Sequence, residues 1–572
     1  MRSRVSRIVG ALAAITTLFA LAACSGLPTS GDVKSGLALG ASLDEPDILF
    51  LASGPRDGAG PQDIVEGFIE AGITPADNWL VAQSFLTPEF RTEWTASAGV
   101  LIDASADTRA FTSDAPEEDD SENGDTAHIQ VRIDQLAIVD QTGAYSETTG
   151  MTTLEFVVVK TAGEWRISKA PDGVVIDRSR FQRVYDDYPL QYFDQSWSRL
   201  VPDVRWLPRR ATIATTITQS LIEGAPSPWL LPAVQSAFPA DVTLARDAVP
   251  IDPDQIADVA LSRSAQSLDP TTLARMRTQL QATLEAAGVH VSQVRFTVDG
   301  RSLDAGVVKL VEEPVDAGTV VLRDGAFGAV VGTEITPIDG ISDEILGISQ
   351  PIAAVDIAAD ETRAAVQLGD GRVFLAADGQ VDPLDGRAGL VKPSIDPYGY
   401  IWSVPSSAPS EVIAARGGDQ SNTIADAWPT AAAVSGIRVS ADGARIAAIE
   451  TIGGERWITV SAVIRDDTGA PTALGEPKPL TRISGSAESL VWLGPDRLGV
   501  LMEQDGPKML TQIVGGPGTV EAAPAAAVSL AGARSAASVR VLAATGSLFS
   551  RSGSAWRESM TGVLLLATKA GH

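Results

Sequence analysis

An apolar stretch from Ile8 to Leu21 gives way, over residues 25 to about 60, to Gly, Ser, Ala, Asp and Pro with little periodicity. The apolar stretch is too short to cross a bilayer, which takes about 20 apolar residues. Arg2, Arg4 and Arg7 precede it, the charge arrangement of a secretory signal over 1–23. The stretch that follows reads as a tether over 24–60. A helical period begins at Pro61, with Ile64, Val65, Phe68 and Ile69 on one face and Gly72 as its stop. A second helix is predicted over Asn78–Phe90, with Trp79, Ala82, Phe85 and Leu86 as core rather than as an aromatic binding stripe. The period then shortens to that of strands at Ile129–Ile133, Leu154–Val159 and Trp165–Ile167, the last two joined by Thr161-Ala-Gly163. Two helices and a curled antiparallel sheet predict an α+β domain over 61–178.

Residues 181 to 206 hold Phe181, Tyr185, Tyr188, Tyr192, Phe193, Trp197 and Trp206. A flexible linker would not concentrate aromatics in this way, so 179–199 is expected to pack its two neighbouring domains into one rigid unit; an exposed platform for glycan or peptide is the alternative. Helices are predicted at Ala211–Glu223 and from Asp269-Pro270 to Gly288, with strands at Val242–Leu244, Ala257–Leu261 and Val289–Phe296. These make a second α+β domain over 200–312. Beyond Val320 one phrase recurs: a strand, an Asp/Pro/Gly turn and another strand. It begins at Ile352, Val391, Ser435 and Ser489, with a degenerate copy over Ser538–Phe549. A spacing of roughly 40 to 55 residues indicates propeller blades, five or six of them, over 318–568.

Composition narrows the chemistry. Cys24 is the single cysteine of 572 residues, so the remainder of the chain holds no disulfide and no cysteine-based metal or redox site. A net charge of −28, more negative still once the signal's arginines are removed, argues against nucleic acid and against close approach to anionic surfaces. Segment 113–126 carries seven carboxylates and no large apolar residue, which predicts a disordered acidic loop; it lacks the ligand spacing of an EF-hand calcium loop.

His128, His290 and His572 are far apart in sequence, and no nucleophile elbow, zinc-protease, P-loop or dinucleotide motif follows a predicted strand. No catalytic residue, metal ligand or cofactor is assigned. A glycosidase-like carboxylate pair would have to assemble from distant loops. Asp252-Pro-Asp254 and Asp396-Pro397-Tyr398 read as turns. Trp402, Trp428, Trp492 and Trp556 are expected to pack between blades rather than to line a binding face.

Leu21-Ala22-Ala23-Cys24 resembles the lipobox of bacterial lipoproteins. That resemblance implies a diacylglyceryl group on Cys24, cleavage before it and a stable tether to the membrane through two acyl chains. The first α+β domain, closing on Gly163-Glu-Trp-Arg-Ile167, looks like the nuclear-transport-factor-2-like fold. Leu200-Val-Pro-Asp-Val-Arg205, the exit Leu221-Ile-Glu-Gly-Ala-Pro226 and Val298-Asp-Gly300 are similar to the GerMN domain. In this order, with a C-terminal propeller, the chain resembles the LpqB family of actinobacterial lipoproteins.

The family resemblance implies a lipid-anchored, non-enzymatic accessory on the extracytoplasmic face of the cell membrane. Its implied partner is the extracellular region of an MtrB-like sensor histidine kinase, with effects on phosphorylation of the MtrA regulator, cell-wall homeostasis and division. The alternatives are a receptor for cell-wall glycan or peptidoglycan fragments using the propeller and, third, an envelope hydrolase. A Cys24→Ser variant is expected to lose the anchor and be released into the medium, read by fractionating cells and culture fluid.

Overall fold

The computed structural model describes residues 52–572 apart from 76–77, 115–124, 211, 312–317, 333, 378, 418–419, 533–534 and 572. The signal segment, most of the tether and most of the acidic loop lie outside the described residues. Among the described residues no helix is long and apolar enough to cross a membrane.

Helix Pro61–Gly72 starts where the fixed φ of proline suits the first turn, and the Asp63 carboxylate accepts the Gly60 N–H at 3.2 Å. It lays Ile64, Val65, Phe68 and Ile69 on a six-stranded sheet. The strand order is Glu164–Lys169, Tyr145–Thr161, Thr126–Asp140, Gly99–Asp103, Val174–Asp177, with Ala110–Ser113 also paired to Thr126–Asp140. The sheet is not wholly antiparallel as expected, because Gly99–Asp103 runs parallel to Val174–Asp177. The turn after Tyr145–Thr161 places Ala162 and Gly163 at φ 54° and 87°, the two positive values that suit the twist of a tight hairpin.

The second helix differs from expectation. In place of Asn78–Phe90 there is a single turn, Leu80–Gln83, and a 3₁₀ turn at Phe90–Thr92. Asn78 and Trp79 take left-handed φ values of 56° and 58° before it. After it, Phe85 and Thr87 exchange backbone hydrogen bonds with Ile167 at the sheet edge, 2.9 Å each. Pairing with the sheet overrides the local helical period, while Trp79, Ala82, Phe85 and Leu86 still enter the core.

Aromatic residues 185–206 form a hairpin of strands Tyr185–Asp194 and Leu200–Pro208, in register from Tyr185↔Pro208 to Phe193↔Leu200. The domain that follows contains helices Ile213–Glu223 and Pro270–Ala286 over a sheet in which Ile256–Ala260 and Gln293–Val298 are parallel. Asp269 caps the longer helix by accepting the N–H groups of Thr271 and Thr272. Two predicted strands shrink: Leu244 makes only an isolated bridge to Leu261, and the last strand begins at Gln293, leaving His290 exposed outside it.

The C-terminal region is β-rich and propeller-like. Four-stranded units run in chain order at 352–385, 394–423, 486–522 and 527–560, and 433–483 adds a fifth strand to the same plan. A further unit joins the ends of the region, with Val320–Arg323 pairing antiparallel to Val563–Lys569. The phrases beginning at Ile352, Val391, Ser435 and Ser489 each supply the first strand of a unit and the turn after it, whereas the degenerate copy over Ser538–Phe549 supplies the second strand of its unit and the turn into the third, the first being Ala527–Ala531. First strands of successive units touch in turn, and Ala527–Ala531 touches Val563–Lys569.

Arg438 is buried among these first strands. Its guanidinium lies 2.8 Å from Asp356, donates to Thr568 Oγ1 at 2.6 Å and reaches the carbonyls of Pro393 and Leu490 at 3.2 and 3.3 Å. Asp356 also accepts the Ile395 N–H at 2.8 Å and the Thr568 hydroxyl at 2.6 Å. One buried cation thus connects the first strands of neighbouring units. Removing one member of a buried pair leaves the other charged and desolvated, so Arg438→Met is expected to cost about 3–5 kcal/mol by urea denaturation. The Arg438→Met/Asp356→Asn double variant is expected to recover part of that loss.

Candidate functional site: the interdomain junction

The aromatic hairpin touches all three folded parts. Phe181 stacks on Tyr185 at 5.2 Å and lies 5.0 Å from Trp206, and Tyr145 of the first domain is 6.2 Å from Trp206. The Trp206 backbone N–H donates to Gly143 of the first domain at 2.8 Å, and its indole N–H donates to Gly515 of the propeller-like region at 2.9 Å. A Cβ on Gly516 would lie 2.9 Å from the Trp206 ring, so only glycine allows this approach.

Segments that carry the GerMN resemblance meet beside the tryptophan. Asp203 accepts the backbone N–H and hydroxyl of Ser227, at 2.7 and 2.8 Å. Arg205 holds Asp203 at 2.6 Å, reaches the Ala225 carbonyl at 3.2 Å and crosses to Thr142 of the first domain at 2.8 Å. Lys478 of the propeller-like region donates to the Tyr145 carbonyl at 3.2 Å, and burial holds its amine below the usual lysine range. At the far end of the hairpin the Tyr398 hydroxyl donates to Asp194 at 3.2 Å, and the Arg199 and Arg465 guanidinium groups lie over its ring at 5.1 and 4.1 Å. Ala444 and Ala462 of the propeller-like region belong to the same apolar core as Ile217, Leu221 and Phe296.

Acidic groups from the first domain, the hairpin and the propeller-like region lie at this junction. Arg497 donates to Asp187 of the hairpin at 2.9 Å and lies 3.8 Å from Asp496. Burial raises the Asp496 carboxyl, and neighbouring Asp187 raises it further. Burial also raises Asp186, partly offset by Arg209, and Glu147, which Thr481 partly offsets. Tyr188 is pushed up to about 12 by burial first and then by Asp186.

Leu21, Ala22, Ala23 and Cys24 lie outside the described residues. His128 and His290 are exposed on different domains, and His572 is outside the described residues. Trp402, Trp428 and Trp492 are at most 1 % exposed, while Trp556 is half-buried. Asp396 is more than a turn residue: besides accepting the Tyr398 and Tyr400 N–H groups, it holds the Trp402 indole at 3.1 Å and Arg465 at 2.8 Å. The sequence signalled the aromatic crowding of the hairpin but not the three-way role of Trp206 or the central role of Arg438, since their partners lie up to 309 residues away.

Three family models match the chain in order: "Lipoprotein LpqB, N-terminal domain" over 54–182, "Sporulation and spore germination" over 189–304 and "Lipoprotein LpqB beta-propeller domain" over 318–564. Lipoprotein LpqB of Nocardia farcinica is 27 % identical over 564 residues, covering 90 % of this chain and 89 % of its own. That of Bifidobacterium longum is 26 % identical over 507 residues, covering 84 % and 83 %. The chain belongs to the LpqB lipoprotein family. The first GerMN domain of the Bacillus subtilis sporulation protein GerM aligns with 22 % of this chain and 92 % of that one, at 20 % identity and a TM-score of 0.18, a likeness too weak to carry an argument.

In this LpqB-family chain the raised carboxyls set an unusual pH dependence. A group whose native pKa lies above its unfolded value binds its proton more tightly when folded, so its contribution to stability is full at low pH and lost as pH rises through the native value. Asp496, Asp186 and Glu147 therefore favour the folded junction on mild acidification from neutral pH. Asp177 and Asp385, held low by hydrogen bonds and arginine neighbours against the opposing effect of burial, act oppositely, their contribution being lost only below the ordinary carboxylate range. Asp496→Asn is expected to raise stability at pH 7, because burial then desolvates a neutral amide in place of a charged carboxylate. It is also expected to flatten the rise in urea midpoint between pH 7 and about 5, the side of neutrality on which raised carboxyls protonate.

Proposed function

We propose that the protein is held on the outer face of the cell membrane through a diacylated Cys24. Its body binds the extracellular region of an MtrB-like sensor histidine kinase and biases that kinase's output, supporting cell-wall homeostasis and division. The observation that carries this reading is the junction around Trp206, which fixes three domains as one body. A preordered surface loses little conformational entropy on meeting a partner. Modulation follows if that surface has different affinity for two kinase states, a coupling of typically about 1–3 kcal/mol.

The first domain is read as nuclear-transport-factor-2-like, supported by its helix-covered curled sheet. The C-terminal region is read as a propeller of six blades, the first completed by the strand Val563–Lys569 from the end of the chain. On this reading its centre holds Arg438 and Asp356, and Trp402, Trp428 and Trp492 are buried rather than presented to a glycan, with Trp457 and Trp556 half-buried. Three buried carboxylates of the region are paired with arginine, Asp356 with Arg438, Asp396 with Arg465 and Asp442 with Arg445, while buried Glu450 has the Thr459 hydroxyl as its partner. These features favour the regulatory reading over the glycan receptor and the hydrolase.

Purified residues 25–572 are expected to bind the extracellular sensor domain of the envelope kinase saturably, with a Kd in the micromolar range or tighter, measured by calorimetry at two salt concentrations. A change with salt reports the share of the acidic surface in the contact. Absence of binding to both the isolated sensor domain and the membrane-embedded kinase would overturn the reading.

A further inference from the structure

The first domain has a partly open pocket of about 300 Å³ between helix Pro61–Gly72 and the sheet face that this helix covers. Its walls include Phe68, Trp94, Val100, Leu154, Phe156 and Val174, all buried. The Phe68 ring meets those of Trp94 and Phe156 edge-on at 5.1 and 6.2 Å, which braces the wall against collapse. The Trp94 indole N–H is already donated to the Pro171 carbonyl at 3.2 Å, so the interior offers water little to bond to. A largely apolar pocket open at one side accepts apolar molecules, and the volume falls at the lower end of the range for small-ligand pockets.

The rim is different in kind. Asp140 and Asp172 line the cavity and are exposed. Their orientation is fixed by backbone donors: Asp140 accepts the N–H groups of Thr142 and Ala144 at 2.8 and 3.0 Å, and Asp172 accepts that of Thr95 at 2.9 Å. An apolar interior beneath two fixed carboxylates suits a molecule with a hydrocarbon body and a positively charged end.

We infer that this cavity binds a single-chain cationic amphiphile, its chain among Phe68, Trp94 and Phe156 and its head at Asp140 and Asp172. The site is independent of the kinase reading and lies within one domain. Its test is calorimetric titration of residues 25–572, which contain the compact unit Ala52–His572, with decylamine and, separately, decanoate, both below their micelle concentrations. Decylamine is expected to bind at one site and decanoate at least tenfold more weakly, with the gap closing in Asp140→Asn/Asp172→Asn.

Gly72→Leu fills the space from the helix. A Cβ there meets Val174 at 3.6 Å, an ordinary contact, and the helical backbone of Gly72 needs no positive φ. This variant is expected to weaken decylamine at least tenfold without lowering Tm; Leu154→Phe, which fills the space from the sheet, is the second variant. Absence of saturable decylamine binding, equal affinity for both amphiphiles, or unchanged affinity in a folded filled variant would each overturn the inference.

Discussion

Trp206 is the side chain on which the arrangement of the molecule turns. Its backbone belongs to a hairpin, its N–H bonds the first domain, and its indole bonds the propeller-like region. Interfaces within a chain usually permit relative motion unless they are large and apolar. Here the ring cluster of Tyr145, Phe181, Tyr185 and Trp206 supplies apolar area, while Arg205, Lys478 and Arg497 supply directed bonds across it. A body held as one unit keeps the surfaces of its several parts in fixed relation.

The C-terminal region solves a separate problem. A row of sheets around a centre has to join its last unit to its first and fill the space between them. The pairing of Val320–Arg323 with Val563–Lys569 does the former, and Arg438 with Asp356, Thr568 and two carbonyls does the latter. A buried guanidinium bonded on every side is costly to desolvate, yet removing its partner costs more. That asymmetry ties neighbouring strands to one geometry.

Much of this was legible. The helix at Pro61–Gly72 follows from an apolar stripe at helical spacing behind a proline, and the recurring strand and turn phrases follow from alternation broken by Asp and Gly. The second helix was not, because residues 85–87 satisfy their backbone groups on strand Glu164–Lys169 instead of within a helix. Nor was the unit completed by Val563–Lys569, since its two halves stand at opposite ends of the region and share no local phrase.

The sequence by itself determined which segments are apolar, which period each follows, that the lone cysteine follows a segment resembling a lipobox, and the order of domains that marks the family. These are local properties, set by residue chemistry along a few turns or strands. Only the tertiary structure decided that Trp206 bridges three domains, that Arg438 meets Asp356, and that a largely apolar pocket sits beneath two rim carboxylates. Those depend on groups far apart in the chain, whose burial and pairing exist only once the fold has brought them together.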